Sequence, residues 1–342
     1  MARILLTHTP AMLANYYGDR ALAELRRHGE VSLNETGRVL DDPAALVQAA
    51  GGAQIVVADR QTPVPAAVFA ALPNLVAVCR VAVDISTIDV GAASSHGVLV
   101  TRATPGFVAA VAELALGYMV DLARGISDAV AAYRAGVEPP VRRGRQLQGA
   151  TLGIIGYGAI GRRLAELGAA LGMTILVSDP YVQASGPALR QVELGALLAE
   201  SDFVACLALA TAETENLMNA AAFQRMKPGT YFLNLSRGNL VDEAALRQAL
   251  DSGHLAGAAM DVGRASDQKP DPLLAAHPKI VATPHIGGLT PEAVEHQAFD
   301  TVRQVADLVQ GRVPHGAVNA EAAHRLRGPD PYGTTGTPRV FT

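Results

Sequence analysis

The chain has 342 residues, of which 49% are hydrophobic, and its formal net charge is −4 at pH 7. This length suits two ordinary domains, because one hydrophobic core rarely serves more than about 250–300 residues. The small net charge and the short basic runs predict no nucleic-acid partner. Since no charge-free apolar run reaches about 18 residues, we also expect no membrane span.

Short apolar runs alternate with segments of helical period in the first hundred residues. Strands are predicted at residues 3–7, 54–58, 75–81 and 98–101, and a helix at 11–28 is predicted to end at Gly29. Nearly continuous runs of Val, Ile and Leu are typical of parallel strands that are buried on both faces. This rhythm predicts a first α/β domain with a parallel sheet.

One long, alanine-rich helix is predicted over residues 107–134. A helix of this length can lie in the core of one domain, run from one domain into another, or pack against a second subunit. The sequence by itself leaves these three alternatives open.

A second strand–helix rhythm begins at Thr151. Its predicted strands lie at residues 152–155, 174–178, 203–207, 230–234, 256–261 and 280–282, and a helix is predicted at 160–171. Strand, helix and strand repeated over roughly 130 residues predict a doubly wound sheet. The polar residues 321–342 contain many Gly and Pro and are predicted to form an irregular tail.

A glycine-rich sequence, Gly156-Tyr157-Gly158-Ala159-Ile160-Gly161, lies between the first strand and the first helix of this second rhythm. In the dinucleotide-binding fingerprint, the first glycine makes the tight turn and the second lets the backbone approach a pyrophosphate. The third lets the helix pack closely on the sheet. Because the N–H groups at a helix N-terminus attract phosphate, we predict that these six residues bind a dinucleotide.

Asp179 lies at the end of the next predicted strand, near the position, about 20 residues on, at which the fingerprint places an acid. A carboxylate there accepts hydrogen bonds from the adenosine ribose hydroxyls and repels a 2′-phosphate. The predicted cofactor is therefore NAD(H), preferred over NADP(H).

Two later motifs carry side chains suited to catalysis. Arg237 lies in the run 234–242, just after the predicted strand 230–234, and an Arg there can hold a carboxylate and polarise a carbonyl. His285 lies in the run Thr-Pro-His-Ile-Gly-Gly at 283–288, just after the strand 280–282, and can act as a general acid and base.

Together with the glycine loop, these motifs resemble the D-isomer-specific 2-hydroxyacid dehydrogenase family over about residues 72–319. Four runs carry the resemblance: Val-Ala-Glu-Leu at 111–114, the run of Arg237 at 234–242, Ala-Met-Asp-Val at 259–262, and the run of His285 at 283–288. The resemblance implies an α/β fold of two Rossmann-like domains with doubly wound parallel sheets. An NAD-binding domain, residues 103–288, is inserted into a discontinuous substrate domain, residues 1–102 plus 289–320.

The resemblance also implies roles for individual residues. Arg237 would orient the carboxylate and carbonyl oxygen of a small anionic substrate, and His285 would exchange a proton with that oxygen. Asp261 stands where the family has an Asp near the nicotinamide carboxamide. Further cofactor contacts are implied for Ser236, His285 and Gly287. Members of the family are generally homodimers or larger, so the helix 107–134 is predicted to form a dimer interface.

The sequence departs from the family where the catalytic His is supported. The family usually has a Glu that hydrogen-bonds this His and raises its pKa, and Ser266 occupies that position here. Ser266 could orient the ring but could not stabilise an imidazolium. Asp267, one residue further on, could substitute for the Glu through a shift of the loop.

The loop that grips the substrate carboxylate in the family also departs from the pattern. The family usually has the run Gly-x-Gly-x-Asp-Asn here, whereas this chain has Ala82, Val83 and Asp84, with Ala82 and Asp84 at the two glycine positions. The carboxylate of Asp84 would repel an anionic substrate if it pointed inward. It could instead bind a hydroxyl or ammonium group, or face away.

Three functions are therefore compatible with the sequence. The first is an NAD-dependent oxidoreductase acting on a small 2-hydroxy or 2-keto acid. The second uses the same scaffold on an atypical small substrate such as formate or phosphite, or uses NAD without net redox chemistry. The third is an NAD(H)-sensing corepressor-like binding protein, against which Arg237 and His285 argue.

The two cysteines and the N-terminus bear on the compartment. Cys79 and Cys206 lie far apart in apolar runs with no Cys/His metal spacing, so we predict buried free thiols and no metal site. The N-terminal apolar stretch is too short for a signal peptide. We therefore expect a cytoplasmic protein.

Overall fold

The computed structural model describes residues 1–186, 188–265, 267–328 and 332. The chain divides into two compact units. One unit contains residues 1–106 and the chain from 291 onward, and the other contains residues 107–290.

The strands of the described chain are, in order, β1 (Ala2–Leu6), β2 (Gly29–Leu33), β3 (Ile55–Ala58), β4 (Ala77–Arg80), β5 (Leu99–Arg102), β6 (Thr151–Ile155), β7 (Thr174–Ser178), β8 (Leu189–Gln191), β9 (Phe203–Cys206), β10 (Thr230–Asn234), β11 (Leu255–Met260) and β12 (Ile280–Ala282).

The α-helices are, in order, α1 (Pro10–Tyr16), α2 (Asp19–Leu25), α3 (Pro43–Ala50), α4 (Ala66–Ala71), α5 (Val90–Ser95), α6 (Val108–Arg124), α7 (Ile126–Arg134), α8 (Ala159–Ala170), α9 (Leu194–Glu200), α10 (Ala220–Arg225), α11 (Glu243–Asp251), α12 (Pro272–Ala275) and α13 (Pro291–Val309).

The first unit contains a parallel sheet with strand order β2-β1-β3-β4-β5. Successive residues of its central strands point to opposite faces, so Ile4 belongs to one hydrophobic cluster and Leu5 to the other. Both faces are therefore covered, as the continuous apolar runs predict.

The second unit contains a parallel sheet with strand order β12-β11-β10-β9-β6-β7-β8. The chain runs outward from β6 through β7 to β8, and then returns to β9 on the other side of β6. In open α/β sheets, ligands bind outside the carboxyl ends of the strands where the strand order reverses, here β6 and β9. The two parallel α/β sheets confirm the predicted fold class.

The helix predicted over residues 11–28 is wrong in its extent. Gly18, with φ +86°, separates α1 from α2, and α2 ends at Leu25. Gly29 begins the strand β2 rather than ending a helix, and a Cβ at this position would overlap the carbonyl oxygen of Ala2. Glycine is therefore required at 29 by the close approach of β1.

The single helix predicted over residues 107–134 is also wrong, because two helices occupy this range. Gly125 adopts the left-handed conformation, with φ +66°, and its N–H donates to the carbonyl oxygen of Asp121. This arrangement ends α6, and α7 begins at the next residue.

Two edge strands were not predicted. In β2, buried and exposed residues nearly alternate, and β8 is a polar three-residue strand that pairs with β7. Neither has the continuous apolar run by which the central strands were found, since an edge strand has solvent on one side.

The predicted irregular tail is partly a core element. Ala323, Leu326 and Tyr332 are buried in the first unit, and the Tyr332 hydroxyl donates to the carbonyl oxygen of Leu308 over 2.7 Å. The Arg325 guanidinium donates to the carbonyl oxygens of Leu72 and Leu75, each at 2.9 Å. Residues 329–331 and 333–342 of the predicted tail lie outside the described residues.

None of the helices in the described ranges is both long enough and apolar enough to cross a membrane.

Candidate active site

The predicted glycine loop connects β6 to α8, as the fingerprint requires. Gly156 has φ +94°, and a Cβ there would lie 2.7 Å from the backbone of Ala208, which follows β9. A Cβ on Gly161 would overlap the carbonyl oxygen of Gly156. Both glycines are therefore required by backbone packing, and the loop lies at the point where the strand order reverses.

The N-terminus of α8 has the geometry of a phosphate cradle. Gly158 is the N-cap residue, and within the described chain no side chain caps the helix. Apart from its chain neighbours, no described atom lies within 4 Å of a Cβ built on Gly158, so a ligand can approach the backbone closely at this residue. A pyrophosphate fits this site, because uncapped N–H groups and the positive end of the helix dipole both attract it.

Asp179 follows β7 beside this loop. One carboxylate oxygen accepts the N–H of Tyr157 over 2.7 Å, and the other accepts the N–H groups of Tyr181 and Val182 at 2.9 and 3.1 Å. These bonds hold the carboxylate at the carboxyl end of β7, next to the glycine loop. An acid in this position fits an adenosine ribose.

Arg162 was not among the predicted site residues. It lies one helical turn after Gly158, its N–H donates to the Gly158 carbonyl oxygen, and its Nε donates to the Tyr157 carbonyl oxygen over 3.3 Å. The guanidinium carbon lies 5.1 Å from the centre of the Tyr157 ring. The Arg162 charge is therefore held on the glycine loop by Tyr157, a contact that the fingerprint alone does not reveal.

Arg237 is held in a tight turn that begins at the end of β10. The buried Asn234 side chain accepts the N–H of Ser236 over 3.2 Å and donates to the carbonyl oxygen of Arg237 over 3.0 Å. The Ser236 hydroxyl donates to the carbonyl oxygen of Ala208 over 2.5 Å, which links this turn to the segment after β9 that packs on Gly156. The half-buried Arg237 guanidinium donates to the Ser236 carbonyl oxygen over 2.8 Å.

The His285 loop is anchored by Asp261, which is 2% exposed. One Asp261 oxygen accepts the Thr283 hydroxyl at 2.5 Å and the Ile286 N–H at 2.8 Å, and the other accepts the Gly287 N–H at 2.8 Å. The half-buried His285 has φ +59°, in the left-handed region. Asp261 therefore anchors the His285 loop, and the resemblance did not imply these contacts.

The segment after β11 contains the departures from the family pattern. Ser266 lies outside the described residues. The exposed Asp267 carboxylate pairs with the Lys269 ammonium over 2.7 Å, and hydrogen bonds from Lys269 lower the pKa of Asp267. A cavity of about 190 Å³ lies between this segment and the turn of Arg237. Its lining residues are Arg237, Gly238, Asn239, Gly263, Arg264, Ala265 and Gln268.

The remaining predicted residues, Ala82, Val83 and Asp84, follow β4 in the first unit. The Asp84 side chain is exposed and accepts the N–H of Ser86 over 2.8 Å. Arg80, at the end of β4, is fully buried and donates to the carbonyl oxygens of Asp59 and Thr62. Arg80 was not predicted, because a buried cation has no sequence signature in an apolar strand.

His8 is a second buried ionisable group in the first unit, just after β1. It is 3% exposed, and its Nδ1 has no hydrogen-bond partner in the described chain. Burial lowers the pKa of His8 to about 4, with Arg80 acting in the same direction and Asp59 in the opposite one. His8 is therefore neutral near pH 7.

The structure thus brings the predicted dinucleotide-loop, Arg237 and His285 residues to one edge of one sheet. Along the carboxyl edge of the second sheet, the loops after β12, β11, β10, β6 and β7 carry His285, Asp261, Arg237, the glycine loop and Asp179. Of the predicted site residues that the structure describes, only those of the loop 82–84 lie in the other unit.

Comparisons with known proteins agree with this arrangement. The family model described as D-isomer specific 2-hydroxyacid dehydrogenase, NAD binding domain, matches residues 116–287. An (S)-sulfolactate dehydrogenase of Chromohalobacter salexigens is 34% identical over 299 residues, covering 86% of this chain and 96% of that protein. A D-3-phosphoglycerate dehydrogenase of Mycobacterium leprae is 34% identical over 284 residues, covering 82% of this chain.

The chain spans only 54% of the length of that phosphoglycerate dehydrogenase. Among solved structures, the TT0316 protein from Thermus thermophilus superposes with a TM-score of 0.82 at 31% identity, covering 92% of this chain and 99% of that one. This match covers most of both units, and the range of the family model contains the glycine loop, Arg237 and His285. The chain therefore belongs to the D-isomer-specific 2-hydroxyacid dehydrogenase family.

Proposed function

We propose that the protein is an NAD-dependent oxidoreductase that interconverts a small 2-hydroxy acid and the corresponding 2-keto acid. The observation that carries this proposal is the placement of Arg237, His285 and the glycine loop on one carboxyl edge of the second sheet. A cation, a proton donor and a dinucleotide cradle at one edge are the parts that such a reaction needs.

NAD would be held by the second unit. The first-turn N–H groups of α8 and the Arg162 guanidinium would bind the pyrophosphate, and Asp179 would bind the ribose hydroxyls. The bound nicotinamide would supply or accept the hydride. The nicotinamide half would lie beside the loops that contain Ser236, Asp261 and Gly287.

Arg237 would orient the substrate. Its planar guanidinium can hold a carboxylate with two parallel hydrogen bonds, and its charge polarises the neighbouring carbonyl group. His285 would donate a proton to the carbonyl oxygen when the 2-keto acid is reduced, and would take the proton from the hydroxyl when the 2-hydroxy acid is oxidised. After each reduction the neutral His285 ring would take up a proton from solvent, so that reduction consumes one proton overall and oxidation releases one.

The test compares Arg237→Ala and His285→Ala with Arg247→Ala, which removes an exposed arginine on α11. Loss of a general acid or of a bidentate anchor is expected to lower kcat/KM at least about 10²-fold. The Kd for NADH, measured by its own fluorescence because the chain has no tryptophan, is expected to stay within about twofold. Full turnover in both site variants would eliminate this mechanism.

The cofactor preference depends on Asp179. Its fixed carboxylate would repel a 2′-phosphate, so NAD(H) is expected to bind more tightly than NADP(H). Asp179→Asn keeps the size of the side chain and removes its charge. In this variant, the ratio of the Kd values for NADPH and NADH is expected to fall, and an unchanged ratio would contradict the assignment.

The substrate is proposed as a 2-hydroxy acid of the size of those that name the relatives. Sulfolactate and 3-phosphoglycerate each carry a second anionic group beside the 2-hydroxy carboxylate. A panel of small 2-keto acids with and without such a group, followed by NADH absorbance, identifies the substrate. Rapid turnover of formate or phosphite instead would favour the atypical-substrate alternative. That alternative rests on the altered loops at 82–86 and 263–267.

A homodimer is proposed as the assembly. Ile126, Val130, Tyr133 and Val137 are exposed apolar residues that recur at helical spacing along α7 and just beyond it. An exposed apolar stripe of this kind is typical of a protein interface. Light scattering is expected to give a dimer for the native chain and a monomer for Val130→Asp, whereas a monomeric native chain would contradict the proposal.

A further inference from the structure

The His285 loop is held in a strained conformation. His285 has φ +59°, a left-handed conformation that a residue with a side chain keeps only when its surroundings compensate for the strain. The two N–H groups that follow His285, those of Ile286 and Gly287, both donate to the Asp261 carboxylate at 2.8 Å. These two bonds leave the backbone at His285 little freedom to relax.

The Asp261 carboxylate is oriented in turn by α6. The Thr283 hydroxyl donates to Asp261 over 2.5 Å, so its oxygen is left to accept a hydrogen bond, and the Tyr118 hydroxyl lies within hydrogen-bonding distance of it. Tyr118 is 4% exposed, and burial, with a smaller contribution from Asp261, raises the pKa of its phenol. The phenol therefore stays protonated and donates to Thr283.

The same face of α6 also lies close to Gly287 of this loop. A Cβ built on Gly287 would lie 2.7 Å from an Asp261 oxygen, 3.4 Å from Val111 and 3.6 Å from Leu114. Val111, Leu114 and Tyr118 are separated by three and four residues, so they lie on one side of the helix. This side of α6 supports the His285 loop by packing at one end and by hydrogen bonding at the other.

We propose that Tyr118 is a positioning residue for His285, acting through Thr283 and the Asp261 carboxylate. The role of His285 as acid and base rests on the proposed function, whereas the hydrogen-bond chain itself does not. Tyr118 touches neither substrate nor cofactor in this proposal. Its hydroxyl directs the Thr283 proton to Asp261, and the Asp261 carboxylate holds the N–H groups of Ile286 and Gly287, which follow His285.

Three variants test this chain of hydrogen bonds. Tyr118→Phe removes only the phenolic oxygen, Thr283→Val removes the hydroxyl at constant size, and Thr283→Ser retains it. Tyr231→Phe is the matched control, because Tyr231 is a half-buried tyrosine on β10 that stacks on Phe203. We expect kcat to fall about three- to tenfold in Tyr118→Phe and Thr283→Val, with the Kd for NADH unchanged and kcat restored in Thr283→Ser.

The double variant separates positioning from general packing. If Tyr118 acts through Thr283, the double variant Tyr118→Phe/Thr283→Val is expected to have the same kcat as Thr283→Val alone. The reason is that Thr283→Val already breaks the link between Tyr118 and Asp261. Multiplicative losses in kcat would show that the two residues act independently and would overturn the proposal. A loss of kcat in Thr283→Ser equal to that in Thr283→Val would also overturn the proposal.

Hydrogen exchange provides a readout that needs no turnover. The Ile286 and Gly287 amides are expected to exchange about three- to tenfold faster in Tyr118→Phe and Thr283→Val than in the native chain, with no change in Tyr231→Phe. Unchanged exchange would overturn the proposal whatever the enzyme does. Faster exchange in a protein that turns over no 2-keto acid would instead contradict the proposed function and leave the positioning chain intact.

Discussion

Arg264 donates two hydrogen bonds to the carbonyl oxygen of Val241, at 3.2 Å from Nε and 2.9 Å from Nη2. The same guanidinium contacts the Asn239 carbonyl oxygen at 3.1 Å and the Glu215 carboxylate at 2.8 Å. These contacts hold the segment after β11 against residues 239–241, which follow the turn of Arg237. A Cβ on Gly238 would overlap the backbone of Gly263, so the two segments meet without side chains between them.

Replacing Arg264 is therefore expected to loosen the turn of Arg237. In Arg264→Ala, we expect KM for the 2-keto acid to rise several-fold and Tm to fall by a few degrees, because several carbonyl contacts are lost together. Arg264→Lys is expected to recover little, since an ammonium cannot reproduce the fork of N–H groups. Steady-state kinetics and calorimetry measure both effects, and full recovery with Lys would show that charge alone matters.

Gly156→Ala is expected to abolish NADH binding and to destabilise the second unit. The new methyl group would meet the Ala208 backbone at 2.7 Å, and φ +94° is itself unfavourable for alanine. Gly229→Ala is the matched control, because Gly229 has φ +82° but open space around a Cβ. Both variants carry the backbone strain, but only Gly156→Ala has the clash, so NADH titration and thermal unfolding of the two separate these effects. Equal losses of NADH affinity and of stability in both variants would contradict the role given to the close approach of Ala208.

Arg162→Ala is expected to weaken the binding of NADH and ADP about three- to tenfold and to leave the binding of adenosine unchanged. The reason is that the guanidinium held on Tyr157 is proposed to pair with the pyrophosphate. Arg163→Ala is the neighbouring control, since Arg163 pairs with Glu166 on the same helix. Calorimetric titration at low and high salt tests this, because an ionic contribution shrinks as salt is added. An equal loss for adenosine would contradict it.

Acid is expected to destabilise the first unit between pH 6.5 and about pH 4 through His8. In this window the unfolded chain binds a proton on His8 that the folded chain does not, so the free energy of unfolding falls as pH falls. The difference of the two pKa values corresponds to about 3 kcal/mol. The lowered pKa values of Asp59 and Asp300 act instead below pH 3.8, where the unfolded carboxylates take up protons while the folded ones stay ionised down to a lower pH.

His8→Gln removes the titrating ring and tests this assignment. Denaturant unfolding at several pH values is expected to show a flatter dependence between pH 6.5 and 4 in the variant than in the native chain. If both proteins lost stability in parallel over this range, another group would be responsible.

Much of the candidate site could be predicted because its signals are local. The glycine loop and Asp179 belong to one strand–turn–helix–strand stretch, and Arg237 and His285 each follow an apolar run that marks a strand end. Parallel strands place their carboxyl ends at one edge, so the gathering of these residues follows from the fold class. The central strands could be predicted for the same reason, since their burial on both faces produces continuous apolar runs.

The breaks in the long helices were less predictable. Gly18 and Gly125 adopt positive φ values, whereas Gly117 lies within α6 as an ordinary helical residue. The sequence around each glycine is compatible with either outcome, and the packing of the flanking segments decides between them.

By itself, the sequence determined the α/β class, the dinucleotide loop and the two side chains suited to catalysis, because each depends on residues close together in the chain. Only the tertiary structure decided what surrounds His285. Tyr118 and Thr283 are 165 positions apart, and Thr283 and Asp261 are 22 apart, so no local pattern relates them. Tertiary packing also placed Tyr332 in the core and Arg162 on Tyr157, since buried contacts depend on which surfaces meet.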